Sequence, residues 1–387
     1  MGSASEKSSY GIQKFSIMTG DKIDRLSSLD VFRGITIAGM ILVNNPGSWQ
    51  HVYPPLRHAE WHGWTPTDLI FPFFLFIVGV SVSLALSKRR ESAGSSVPLY
   101  TKIFRRSLIL FALGIALRLL FRFDFAHLRI PGVLQRIAIC YLVSALIFSK
   151  VKIKGRVAII IFLLFGYYLV MKLFPVPGYG AGVWDYQGNL CGYIDTKLLG
   201  GHLYTPQFDP EGILSTFPAI ATTLLGTLAG DWLRSSKNVF RKTGGLLASG
   251  LVLAVCGLLL HPLFPINKQL WTSTYVLFSA GAALLFLGMF LGVMDGLGRK
   301  KWAYPFLVLG TNAIFVYVAS TVMVKILISI KISTNQGSLA LYPFIYEHLL
   351  VPWAGHLNGS LLFPLLLLVF WVLVMIPMYR KKIFIKI

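Results

Sequence analysis

The chain has 387 residues, 55% of them hydrophobic and only 13% charged, where an ordinary soluble domain carries about 25% charged residues. A mean hydropathy of +0.67, with apolar runs of helix-spanning length recurring from end to end, excludes a pair of soluble domains and predicts one all-α, membrane-embedded body. The net charge of +21 would suit a nucleic-acid binder, but its distribution along the chain argues against nucleic acid.

Residues 1–24 read as a polar, Ser-rich tail with no apolar core, neither signal peptide nor folded unit. Residues 25–387 read as a single transmembrane domain in the lipid bilayer. Breaks at Pro, Gly and charge clusters divide it into about ten transmembrane helices. Their ranges are 29–46, 67–87, 103–121, 131–149, 156–174, 211–233, 244–262, 271–293, 303–328 and 360–379. The apolar stretch 339–350 is too short to span and reads as a re-entrant or interfacial helix.

Alternate connections differ sharply in basic charge. One set (the tail through Arg25, 88–106, 150–156, 234–242, 299–301 and 380–386) holds 25 Lys and Arg, and the opposite set holds six. That bias predicts N- and C-termini in the cytoplasm. All eight His fall on or near the outer face, where the long connections 175–210 and 329–359 also lie. Cys140 and Cys256 sit in apolar runs and Cys191 alone in a loop, so neither a disulfide framework nor a CxxC metal site is expected.

Several polar residues break the apolar pattern. In the first span, Asp30, Arg33, Ile37, Met40 and Asn44 fall on one helical stripe. Charges there need partners, and an Asp30–Arg33 pair that only anchors the helix is the simpler account. The next loop holds His51, His58, Trp61, His62 and Trp64, in a spacing that matches no familiar metal site, so no metal is expected. Thr65, Pro66 and Asp68 read as a helix start, with Asp68 complementing the helix dipole. Gln135 and Arg136 sit about one turn inside the fourth span. Asp209 and Glu211 read as cap and first-turn acid of the sixth, and Asn267, Lys268 and Trp271 precede the eighth. Gly226 and Gly230 form a GxxxG suited to helix packing. The convergence of polar groups at the outer end is the candidate site.

Taken together, LDVFRG, the VNN ending at Asn45, RHAEWHGWTPTDLIFPFFLFIVG, RIPGVLQRIA, FDPEGIL and INKQLWTSTYVL resemble the transmembrane domain of the heparan-α-glucosaminide N-acetyltransferase family, in order and from Leu26 onward. The resemblance implies acetyl transfer from cytoplasmic acetyl-CoA, through the membrane, to the amine of a terminal glucosamine. It places the family's catalytic histidine on His58 and its active-site asparagine on Asn44. Asp68 is then the group to orient His58. The sequence departs from the animal members at His62, where they carry Asn. It matches no large lumenal domain, which implies a shorter bacterial relative of the inner membrane, and the family implies a homodimer. The chemistry suits these residues: an imidazole can take the amine proton or accept the acetyl group, and Asn44 can donate to the oxyanion. Arg33, Arg105, Arg106 and Arg136 are candidates for the coenzyme phosphates. Trp61, Trp64, Glu211, Asn267 and Trp271 are candidates for the acceptor. An amino-sugar transporter and an O-acetyltransferase of surface polysaccharide are the competing readings.

Overall fold

The computed structural model describes residues 26–91, 97–121, 123–334 and 337–385. The expected tail, 1–24, and part of the basic loop 88–106 lie outside the described residues. A chain this apolar must satisfy its backbone internally, and it does so as helices. These are α1 (Ser27–Asn44), α2 (Ile70–Glu91), α3 (Val97–Leu119), α4 (Val133–Lys150), α5 (Ile153–Leu173), α6 (Leu190–Leu199) and α7 (Thr216–Arg234). They continue as α8 (Val239–Leu259), α9 (Ser273–Phe290), α10 (Tyr304–Gly310), α11 (Ala313–Ser329), α12 (Leu341–Phe344) and α13 (Val351–Arg380). Two small hairpins, β1 (Pro175–Val176) with β2 (Gly180–Ala181) and β3 (Lys331–Thr334) with β4 (Gly337–Ala340), sit in the long connections.

Each expected span overlaps a helix. Six of the described helices are long and apolar enough to cross a membrane, or seven if the bent pair α10–α11 is one span. Among those below that mark, α1, α3 and α7 carry Asp30 and Arg33, Arg105 and Arg118, and Asp231 within their length. The apolar windows of α5, α8 and Leu341–Arg380 are only 28%, 17% and 22% buried. So much apolar surface turned outward belongs in lipid, and the chain is an integral membrane protein.

Three expectations need correction. The helix expected from 211 begins at Thr216, because Asp209 caps a turn instead: its Oδ1 accepts from Glu211 N at 2.9 Å and its Oδ2 from Tyr204 N at 2.9 Å. The span 303–328 is broken by 72° between α10 and α11. At the break, Asn312 donates to the Ile383 carbonyl at 3.0 Å and accepts from Ile385 N at 2.8 Å, so its side chain serves the C-terminal segment. Cys191 is not alone in a loop but buried in α6, 3.2 Å from the Tyr167 hydroxyl. The stretch 339–350, expected as a re-entrant or interfacial helix, is helical from Leu341 and leads into α13, which kinks at Gly355 (φ 74°).

Glycine sets a close crossing of α2 and α7. A Cβ on Gly79 would lie 1.9 Å from the Thr223 carbonyl oxygen, and one on Gly226 would lie 2.1 Å from that of Phe76. The GxxxG of α7 is therefore where α2 and α7 touch backbone to backbone. Ion pairs pin the end of the bundle away from the first loop. Arg156 of α5 pairs with Asp231 of α7, which also accepts from Ser83 of α2 at 2.7 Å. Arg33 reaches Asp30 at 2.8 Å and Ser81 at 3.0 Å, the anchoring pair expected of that helix.

Candidate functional site

The loop between α1 and α2 closes on the carboxylate of Asp68. A 3-10 turn over Pro66–Leu69 follows Thr65, and Pro66 at its start favours that geometry. Asp68 Oδ2 accepts from the backbone N–H of Ala59 and of Thr65, both at 3.0 Å, and lies 3.1 Å from the Thr65 hydroxyl. Its backbone carbonyl accepts from the Tyr275 hydroxyl of α9 at 2.6 Å. The acid is thus both a turn-builder, as the sequence suggested, and a fixed anchor for what lies above it.

His58 lies above it. Its Nδ1 is 2.7 Å from Asp68 Oδ1, and its side chain keeps 44% of its surface exposed while that of Asp68 keeps 1%. A carboxylate held by backbone donors only accepts, so Nδ1 carries the proton and Nε2 presents its lone pair. Lys268 Nζ lies 2.9 Å from the same Nδ1 and 3.3 Å from Asp68 Oδ1. Two donors do not bond each other, so the ammonium's acceptor is the carboxylate. Burial lowers the Lys268 pKa, against the pull of Asp68 and Glu211.

Lys268 comes from the turn before α9, which Asn267 builds. The fully buried Asn267 accepts from Leu270 N at 2.8 Å through Oδ1, and its Nδ2 lies 3.3 Å from His62 Nδ1. Asn267 thus ties the first loop to this turn from below the surface. Burial lowers the His62 pKa, partly offset by Asp185, whose Oδ1 lies 4.0 Å from Nε2.

Trp271 is 1% exposed with φ 52°, and its indole N–H donates to Thr222 at 3.1 Å. Its ring packs edge-on against Tyr275 at 5.3 Å and carries the Arg136 guanidinium at 5.1 Å. Arg136 is 1% exposed and donates to the Gly212 carbonyl at 3.1 Å and to Ser215 at 2.5 Å. Both residues belong to the packed floor beneath His58. Trp61 and Trp64 face the loop surface: Trp61 donates to the Trp184 carbonyl at 2.8 Å, and Trp64 leans on Phe278 at 4.6 Å while 42% exposed. Glu211 is held, with Asp209, by Arg129, which forks onto Asp209 at 2.6 and 2.8 Å.

Asn44 sits elsewhere. It is exposed at the end of α1 and lines a cavity of about 300 Å³ with residues of α3, α4 and α11. Arg105 is exposed on α3, and Arg106 stacks 4.9 Å over the Tyr141 ring. The structure thus brings together His58, Asp68, Lys268, His62 and Asn267. It sets Arg136 and Trp271 in the core below and Asn44 in a cavity that none of those five lines. Lys268 was not singled out for chemistry from the sequence. Its only signal was a lysine at the polar entry to a span, a common interfacial position. Among the described residues no group of three or more His, Cys, Asp or Glu could hold a metal ion.

A family model described as heparan-alpha-glucosaminide N-acetyltransferase, catalytic, matches residues 25–258. The human heparan-alpha-glucosaminide N-acetyltransferase is 33% identical over 308 residues, covering 65% of this chain and 46% of the human protein. The mouse protein of the same name is 30% identical over 309 residues, covering 65% and 47%. The chain spans about half the length of the curated relatives it matches.

Proposed function

Because the chain belongs to the heparan-alpha-glucosaminide N-acetyltransferase family, and so to the acyltransferases, we propose that it moves the acetyl group of acetyl-CoA to the amine of glucosamine or a terminal glucosaminide. The observation that carries the reading is the 2.7 Å contact between His58 Nδ1 and the buried Asp68. With Nδ1–H held by the carboxylate, Nε2 is free to take the proton that the amine loses as it attacks. The C–N bond forms and the C–S bond breaks. The proton held on Nε2 then goes to the departing thiolate, so the step balances without another reactant. The oxyanion's amide donor is assigned to Asn44 on the family resemblance alone, since it lines a cavity that His58 does not. A stepwise route, in which Nε2 itself takes the acetyl group, uses the same tautomer. Release of CoA in the absence of acceptor identifies that route.

The excess of Lys and Arg in the opposite loops supports a cytoplasmic position for both termini and for the donor's phosphates, and an outward position for His58. The exposed Arg105 suits the phosphates better than Arg33, which is already held by Asp30 and Ser81. Trp61 and Trp64 flank the loop as apolar faces for a sugar ring. A bacterial inner membrane is the setting we propose.

The test is transfer from labelled acetyl-CoA to glucosamine by the purified protein, with His58→Ala beside it. A base-stable amide formed by the parent and lost in the folded variant is the expected result. A base-labile ester would move the reading to O-acetylation. Transport of amino sugars into liposomes without transfer would replace the enzyme with a transporter.

A further inference from the structure

The first loop is joined to the entry of α9 without Lys268. Gly63 N donates to the Ile266 carbonyl at 2.8 Å, Asn267 Nδ2 lies 3.3 Å from His62 Nδ1, and the Tyr275 hydroxyl donates to the Asp68 carbonyl at 2.6 Å. The turn holding Lys268 is itself closed by Thr272 N on the Asn267 carbonyl at 3.1 Å and by Trp271 N on that of Lys268 at 3.1 Å. An ammonium is a costly way to add one more tie, because taking a cation out of water loses its hydration. The Lys268 side chain nevertheless keeps only 20% of its surface exposed. Its charge therefore needs a reason beyond holding the loop in place.

Lys268 Nζ, His58 Nδ1 and Asp68 Oδ1 form a triangle: Nζ to Nδ1 is 2.9 Å, Nζ to Oδ1 is 3.3 Å and Nδ1 to Oδ1 is 2.7 Å. One carboxylate oxygen thus receives both the imidazole N–H and the ammonium. In a bare His–Asp pair the carboxylate orients the imidazole and also stabilises the imidazolium. The second effect works against a base that must be neutral to take the amine's proton and must then release it to the thiolate. A cation on the same oxygen keeps the orientation and offsets the charge. The other titratable groups around His58 are turned elsewhere. Arg57 and Glu60 of its own loop are exposed, and Arg57 Nε donates to the Val52 carbonyl at 2.8 Å. His62 faces Asn267, and the Tyr275 hydroxyl is on the Asp68 carbonyl. Glu211, whose field reaches Lys268, is held by Arg129.

We propose that Lys268 is a positioning residue of the transfer, whose ammonium offsets the charge of Asp68 so that the carboxylate orients His58 without holding it as imidazolium. That the pair serves acetyl transfer rests on the proposed function; that the ammonium disfavours the imidazolium does not.

Lys268→Gln keeps a donor for Asp68 and removes the charge, whereas Lys268→Arg keeps the charge. Transfer from acetyl-CoA to glucosamine is measured from about pH 5 to about pH 9, and kcat/KM of each variant is divided by that of the parent. The division cancels the titration of the acceptor amine. For Lys268→Gln the ratio should fall about tenfold from the alkaline to the acid end, the mark of an imidazole that takes its proton about one pH unit earlier. For Lys268→Arg it should stay level. A second measurement needs no turnover. The His58 ring, followed by NMR of isotope-labelled histidine and assigned with His58→Gln, should titrate about one pH unit higher in Lys268→Gln than in the parent. If Lys268→Gln does not fold, Lys268→Met makes the same test. A level ratio for the uncharged variant, or an unmoved His58 titration, would overturn the proposal and leave Lys268 a tie that affects melting alone. A moved titration in a protein that acetylates nothing keeps the electrostatic role and overturns the acetyl-transfer reading.

Discussion

Replacing Asp68 by Asn should disable the site while leaving the loop in place. The Ala59 and Thr65 amides both point at Oδ2 and would be kept by the Asn carbonyl oxygen. The new Nδ2 would stand where Oδ1 now faces His58 Nδ1 at 2.7 Å and Lys268 Nζ at 3.3 Å. Both of those are donors, so two charge-assisted bonds are lost at about 1.5–3 kcal/mol each. Because His58 is half exposed, water recovers part of this, and a loss of about 3 kcal/mol is expected. The imidazole regains a partner only by moving its proton to Nε2, the atom that must accept. Loss of the base in this way should lower kcat about 10²–10⁴-fold. The assay is steady-state transfer together with thermal unfolding. Adding Lys268→Met removes the unpaired ammonium and should restore stability but not kcat. A variant with kcat within about threefold of the parent would refute the tautomer argument.

Gly226→Ala should lower the melting temperature, since its Cβ would lie 2.1 Å from the Phe76 carbonyl and overpacking of this kind costs about 1–3 kcal/mol. Gly166→Ala, with nothing within 4 Å of the added carbon, is the control and should match the parent. Asp195 is buried in α6, and burial raises its pKa from 3.8 to about 6. A carboxyl that binds its proton more tightly when folded contributes stability below about pH 4 and loses it as pH rises through about 6. The deficit above that window is at most about 3 kcal/mol at 1.36 kcal/mol per pH unit. Asp195→Asn keeps an oxygen for Ile213 N and should melt higher than the parent at pH 8, an advantage that disappears at pH 4; equal melting at both would refute the sign.

What was legible in the sequence was what is local or periodic. His58 and Asp68 lie in one loop, so a short turn suffices to join them. The helices were legible because lipid admits little else. Contacts made across the fold were not. Lys268 reaches His58 from 210 residues away, and an isolated lysine at a span entry carries no mark of that. Trp271 read as a sugar platform because aromatics collect at interfaces. Its inward turn depends on a positive φ and on the Thr222 hydroxyl, neither visible along the chain. Asp209 and Glu211 looked like the acids of a helix start, and only the return of Arg129 shows why the helix begins later.

The buried arginine of α4 illustrates how such a site is held. Arg136 has two bonds, to Gly212 and Ser215, while its Nε and Nη1 have no partner among the described residues. A cation in that position is too enclosed to reach coenzyme phosphates. It is well placed to support the floor: guanidinium on Trp271, Trp271 against Tyr275, and the Tyr275 hydroxyl on the Asp68 carbonyl. Each link fixes the next, and the last fixes the carboxylate that orients His58. Removing the charge at Arg136 would therefore act on His58 through packing, without any contact to substrate.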